Sequence, residues 1–159
     1  MNRHRDRVSR SGSARLLAAA SGLLFMTGCG DGRLATYPVT GTVMVDSRPA
    51  AGALVIFCPV EGQGPEELMR LRPAAETGLD GKFKLTTFET YDGAPAGQYN
   101  VMVRWGPRPQ SAAGEARPER GKRPPDRLRG RYMNPQTSGL TATVEEQATE
   151  VPAFELQSR

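Results

Sequence analysis

Four sets of side chains in this 159-residue sequence could carry chemistry. The first is a pair of thiols, Cys29 and Cys58. Cys58 closes the apolar run Val55-Ile56-Phe57-Cys58, and a thiol in such a run reads as partly buried and inert. The second set is the acids Asp80, Glu89 and Asp92, which could hold calcium in a loop. Their spacing has nothing of the D-x-D-x-D-G order that such a loop uses. The third is Tyr99 and Trp105, whose rings could stack on a sugar but on an alternating strand belong to a core. The fourth is the basic set Arg117, Arg120, Lys122, Arg123, Arg127, Arg129 and Arg131, which could contact an anionic polymer or lipid headgroups. Glu145, Glu146 and Glu150 read as a solvated turn and strand edge.

The fate of Cys29 depends on what precedes it. Residues 1–15 carry Arg3, Arg5, Arg7, Arg10 and Arg15 against one acid, Asp6. The apolar stretch that follows, Leu16 to Met26, is eleven residues long. At about 1.5 Å per residue a helix of that length spans roughly 17 Å. A bilayer core of about 30 Å needs about 20 residues. The segment is therefore too short to cross, and its basic head and small-residue exit fit a signal peptide over 1–28. No Arg-Arg pair occurs in the head, which points to the general secretion route.

The run Leu23-Leu24-Phe25-Met26-Thr27-Gly28-Cys29 resembles a bacterial lipoprotein signal. Met26 stands where that signal prefers Leu, Val or Ile; Thr27 and Gly28 fit it. The resemblance implies a cut before Cys29, acylation of its thiol, and residence on a membrane of the cell envelope, at the outer membrane or periplasmic face. Each buried CH₂ contributes about 0.8 kcal/mol, so two or three acyl chains would hold the protein firmly. Gly30 follows the cysteine, where an aspartate retains some lipoproteins at the inner membrane. Residues 29–37 then form a lipidated cysteine and tether, whose eight residues from Gly30 to Tyr37 reach at most about 29 Å.

Removing residues 1–28 changes the composition argument. The whole chain has 21 basic and 17 acidic residues, a net charge of +4. The leader holds five of the bases and one of the acids, which leaves 16 of each and no net charge. A nucleic-acid role, which needs a broad basic face, loses its support. The only histidine, His4, leaves with the leader. The mature chain then has no Ser-His-Asp or Cys-His nucleophile system and no histidine metal site, and nothing calls for a cofactor. With Cys29 acylated, Cys58 has no cysteine to pair with.

The elements that would position these residues are strands. Val39, Gly41, Val43 and Val45 alternate with polar or half-polar neighbours. Asp46-Ser47-Arg48-Pro49 turns the chain, and Ala53 to Pro59 is a second strand with Ala53, Val55 and Phe57 inward. Asp80-Gly81 signals a hairpin, after which Phe83 and Leu85 alternate with Lys82 and Lys84. Tyr99, Val101, Val103 and Trp105 mark the clearest strand; Leu140, Ala142 and Val144 mark another; Phe154 and Leu156 mark a last one, started by Pro152. No helical period extends over ten residues, though Glu66 to Leu71 has room for one turn. About 130 mature residues suit one domain. The expectation from the residues is a single all-β sandwich over 38–157.

These residues also carry a family resemblance. Val39-Thr40-Gly41-Thr42-Val43, Pro49-Ala50-Ala51-Gly52-Ala53 with Val55-Ile56-Phe57, Thr77-Gly78-Leu79-Asp80-Gly81-Lys82-Phe83-Lys84-Leu85, and Ala94-Pro95-Ala96-Gly97-Gln98-Tyr99-Asn100-Val101 follow in the order seen in carboxypeptidase-regulatory-like domains. Gly78 stands where that family usually has an acid. The resemblance covers roughly Val39 to Trp105. Arg131-Tyr132 through Thr137-Ser138-Gly139-Leu140 resembles the tail of small bacterial lipoproteins built on this domain. The domain resemblance implies a transthyretin-like, Ig-like sandwich of about seven strands, with a structural, adhesive or accessory role and no chemistry of its own.

Residues 106–130 interrupt the pattern with five prolines and four glycines. Residues 104–131 hold nine bases against three acids, a net charge of +6. Such a segment cannot build a packed core and reads either as a solvated insertion or as a binding arm. The expected function is that of a non-enzymatic, lipid-anchored envelope protein with an envelope protein as partner. The alternatives are recognition of anionic glycan or lipid headgroups through the 104–131 segment and, more remotely, carboxylate-based glycan hydrolysis.

Overall fold

Strand β1 (Val39–Val45) buries every second residue, as its alternation dictates, and it organises the first of two sheets. The computed structural model describes residues 32–106 and 125–158, and Gly32 onward forms a unit by its own contacts. Residues 39 and 43 bond to one side of β1. There β5 (Lys82–Lys84) pairs antiparallel with Thr40–Thr42, and the two-residue β2 (Arg48–Pro49) pairs with Met44 and Val45. Val43 serves both neighbours: its N–H donates to the Gly81 carbonyl (2.9 Å) and its carbonyl accepts from the Ala50 N–H (3.0 Å). Gly81 has φ +76°, and a Cβ there would lie 2.6 Å from the Val43 oxygen, so both conformation and space require glycine.

Residues 38, 40 and 46 bond to the other side. There β8 (Thr149–Glu150) and β9 (Phe154–Leu156) run parallel to β1, joined by the bond from Val151 N–H to the Thr40 carbonyl. The second sheet is antiparallel throughout, in the order β4 (Ala74–Glu76), β3 (Leu54–Pro59), β6 (Gly97–Arg104), β7 (Thr141–Val144). One short helix, α1 (Glu66–Met69), lies between β3 and β4. The all-β, two-sheet architecture therefore stands. The expectation of about seven strands is corrected to nine among the described residues. Beyond the six strands placed along the sequence, β2, β4 and β8 have two or three residues each, too few for alternation to show.

The sheets meet on four rings. Phe57 of β3 lies 5.5 Å from Tyr99 of β6, 6.4 Å from Phe83 of β5 and 6.5 Å from Phe154 of β9, measured between centroids. Phe83 and Phe154 stack at 6.2 Å. Such pairs contribute about 0.5–1.5 kcal/mol each beyond the area they bury. The inward set Ala53, Val55 and Phe57 is fully buried, as are Tyr99, Val101 and Val103. Trp105 falls just past the end of β6 and is half-buried against the core.

Two expected features differ in detail. The Asp80-Gly81 turn forms, but β4 and β5 belong to different sheets and touch through the Ala74–Thr86 bridge. Thr77, just after β4, is tied to the connection between β2 and β3: its hydroxyl donates to the Ala50 carbonyl and accepts from the Ala53 N–H (2.8 Å). In the stretch from Val60 to Pro73, where the sequence leaves room for one helical turn over Glu66 to Leu71, α1 forms and Leu68 pins it to the core, fully buried.

Gly41 faces inward beneath Phe83. A Cβ there would lie 2.6 Å from the Phe83 ring and 2.6 Å from a Val151 methyl. Gly41→Ala is expected to lower the urea midpoint with an unchanged m value, at a cost of about 1–3 kcal/mol, the usual range for overpacking.

Candidate functional site

The C-terminal end of β6 carries the first candidate, the basic segment. Its last part folds back on the strand around Asp126. One carboxylate oxygen accepts from the Trp105 N–H (2.9 Å) and the Leu128 N–H (3.1 Å); the other accepts from Gly130 (2.8 Å). The Arg127 N–H donates to the Trp105 carbonyl (2.7 Å), and Leu128 is buried beneath the turn. Further along, the Tyr132 carbonyl accepts from the Val103 N–H (3.0 Å). The Trp105 indole N–H reaches the Ala51 carbonyl (3.0 Å).

This return places three of the seven basic residues. The Arg127 guanidinium lies 4.8 Å from the Trp105 ring centroid, and that of Arg131 lies 5.8 Å from the Tyr132 ring. Arg129 is exposed in the turn, with φ +54°. Attraction between a guanidinium and the face of a ring holds each of these two side chains in place. Arg117, Arg120, Lys122 and Arg123 lie outside the described residues, as does Cys29.

The second candidate is a groove of about 700 Å³ on the outer face of the first sheet. It follows from register. Lys84 of β5 and Glu150 of β8 flank Thr40 of β1, and Lys82 pairs with Thr42, so outward-facing residues of three strands form one row. Glu76 and Asp80 edge it on one side and Tyr91 on another. Two lysines against three acids make an open surface of mixed charge. It can take a polar chain carrying both signs, and it has no group set apart for proton transfer.

Tyr91 belongs to the loop over residues 86–93, which is built on Asp92. The Asp92 carboxylate accepts from the N–H groups of Thr87 (2.7 Å), Phe88 (2.9 Å) and Glu89 (3.1 Å). Burial alone would raise its pKa; these N–H donors outweigh that and hold it below the usual carboxylate value. Asp92 therefore organises its loop. Asp80 likewise accepts from the Lys82 N–H (3.1 Å). Among the described residues no three His, Cys, Asp or Glu side chains are grouped to hold a metal ion.

Tyr99 and Trp105 form no sugar-stacking face. Tyr99 is fully buried and donates its O–H to the Pro95 carbonyl (2.7 Å), and burial raises its pKa. Cys58 is buried too. Burial raises its thiol pKa against a smaller opposing pull from Arg72, which makes for poor nucleophilicity.

No family model and no curated protein matches this chain. The site must therefore be read from its own geometry. Sequence reasoning missed two devices, the Asp126 hub and the Asp92 loop. The signal available was local: an aspartate two to four residues before a glycine or followed by one, in the kind of turn where a short carboxylate satisfies backbone N–H groups.

Asp92 also sets a pH dependence. Its folded pKa lies below the unfolded value of about 3.9, so its contribution is present above that value and is lost as pH falls through the folded one. Thermal melts of the wild-type chain are expected to lose stability below about pH 4. Asp92→Asn is expected to start less stable at neutral pH and to lose less over that range.

Proposed function

We propose that this protein is exported, acylated on Cys29 and held at the cell envelope as a non-enzymatic structural, adhesion or accessory module that binds another envelope protein. The observation that carries the reading is the run ending Thr27-Gly28-Cys29, after a basic head and eleven apolar residues and shortly ahead of a β-domain. We further assign the domain to the carboxypeptidase-regulatory-like, transthyretin-like class. Its motif residues hold positions with structural reasons. Gly41 lies beneath Phe83, Gly81 lies against the Val43 carbonyl, and Tyr99 bonds back to Pro95. Three polar side chains are engaged in building the fold: Asp92 and Asp126 in loops, and Thr77 against the β2–β3 connection.

Intact mass of the membrane-extracted protein tests the anchor. The expected chain starts at residue 29 with added acyl mass, and Cys29→Ser loses both the cut and the mass. An unmodified chain, or one that keeps residues 1–28, refutes this reading.

One observation favours a second reading, anionic glycan or headgroup recognition through 104–131: the Arg127 guanidinium lies over the Trp105 ring at the end of β6 and that of Arg131 over the Tyr132 ring of the returning segment. Under that reading, binding to an anionic glycan falls steeply with salt and weakens with Arg127→Gln or on deletion of residues 106–130. Salt-insensitive capture of one envelope protein that survives the deletion supports the first reading instead.

A further inference from the structure

The chain enters the domain at a defined place. Tyr37 and Ala94 exchange a pair of backbone hydrogen bonds, at 2.9 Å and 3.0 Å. Gly93 makes this closeness attainable: its φ is +91°, and a Cβ would fall 1.7 Å from the Tyr37 carbonyl oxygen. Upstream, Leu34 packs against the core, and the Arg33 guanidinium lies 5.4 Å from the Phe88 ring centroid. Residues 33–37 are therefore laid along the 86–93 loop. Cys29 is four Cα steps from Arg33, a reach of at most about 15 Å.

That loop is where the domain exposes aromatic surface. Tyr91 is 62 % exposed and Phe88 36 % exposed. Tyr91 has φ +63°, a conformation unusual for a bulky side chain. It is held by a bond from its N–H to the Thr86 hydroxyl (3.0 Å), and the Lys84 ammonium lies 5.8 Å from its ring centroid. The Asp92 carboxylate fixes the three amides at the start of the loop. The backbone is thus built to present two rings outward, beside the only covalent path to Cys29. Arg33 and Lys84 on this face are balanced by Glu89 and Asp92, so charge does not decide what it meets.

We propose that the 86–93 loop is the face on which the domain sits against the lipid surface. Phe88 and Tyr91 enter the headgroup–acyl boundary, the level at which amphipathic rings collect at membranes. The proposal rests on acylation of Cys29, as put forward above. It fixes the orientation of the sandwich: Trp105, at the far end of β6, is held some 26 Å along the strand from Gly97 and faces away from the lipid.

The test uses the full, processed lipoprotein in phosphatidylcholine vesicles, with acylation established by intact mass. Trp105 is the only native tryptophan. Tyr91→Trp adds a second indole on the loop. With phosphatidylcholine brominated near the top of its acyl chains, the indole introduced by Tyr91→Trp is expected to lose emission and shift to shorter wavelength, while the wild-type protein is unquenched. The loss is expected to persist at about 1 M salt, where the Debye length is about 3 Å. Hydrogen exchange on the wild-type chain gives a second readout, with slower exchange at 86–93 in vesicles than in a chain begun at residue 30, which carries neither leader nor anchor and whose residues from Gly32 onward form a unit by their own contacts. An acylated chain with no quenching at position 91 and no added protection overturns the seating and leaves the anchor intact. Quenching abolished by salt overturns a contact made by rings. A chain without acyl mass overturns the anchor, and the seating with it.

Discussion

The meeting of four rings between the sheets is the constraint on which the remaining structure depends. Phe57 touches a ring from its own sheet and two from the opposite one. For those rings to interlock, β1 must carry nothing at position 41, because the Phe83 ring occupies that space. The sandwich is thus set by a volume match between one missing side chain and one large one. Protein interiors tolerate little departure from such a match. The edges of β1 follow from it, since β5 and β9 supply two of the rings and must lie on either side of that strand.

Much of this was legible where strands are long and half-buried. The runs 39–45 and 99–103 alternate over enough residues for a period of two to show, the run 53–59 is apolar on both faces, and their inward residues are buried. What escaped was short or non-periodic. β2 and β8 exist because β1 offers them hydrogen bonds, and two residues carry no period of their own. Leu68 is a lone apolar residue in a polar stretch, and only tertiary packing gives it a role. The return of residues 125–132 onto β6 rests on one carboxylate and a few backbone bonds, so its composition suggested solvent.

The candidate sites show the same division. The basic residues could be named from the sequence, yet their posture could not: whether a guanidinium lies on Trp105 depends on a chain reversal more than twenty residues away. The acids were legible as a cluster in number only. In three dimensions Asp80 and Asp92 each accept backbone N–H groups and close a turn. A domain with a modest core gains by using its polar groups this way, and the surface left for recognition is then made of rings and loops.

The parallel pairing of β9 with β1 brings the two ends of the sandwich's chain together. The Ser158 hydroxyl and N–H both donate to the Asp46 carboxylate, across 112 residues. The first strand made is therefore among the last to be completed. Until the final residues are available, β1 has an open edge and Phe57 lacks one of its rings. Folding of this domain must wait for its whole length, with the slow closure expected of such distant contacts. During that interval the open edge of β1 can pair with other chains. Without Phe154–Leu156 that edge of β1 would have no β9 to cover it.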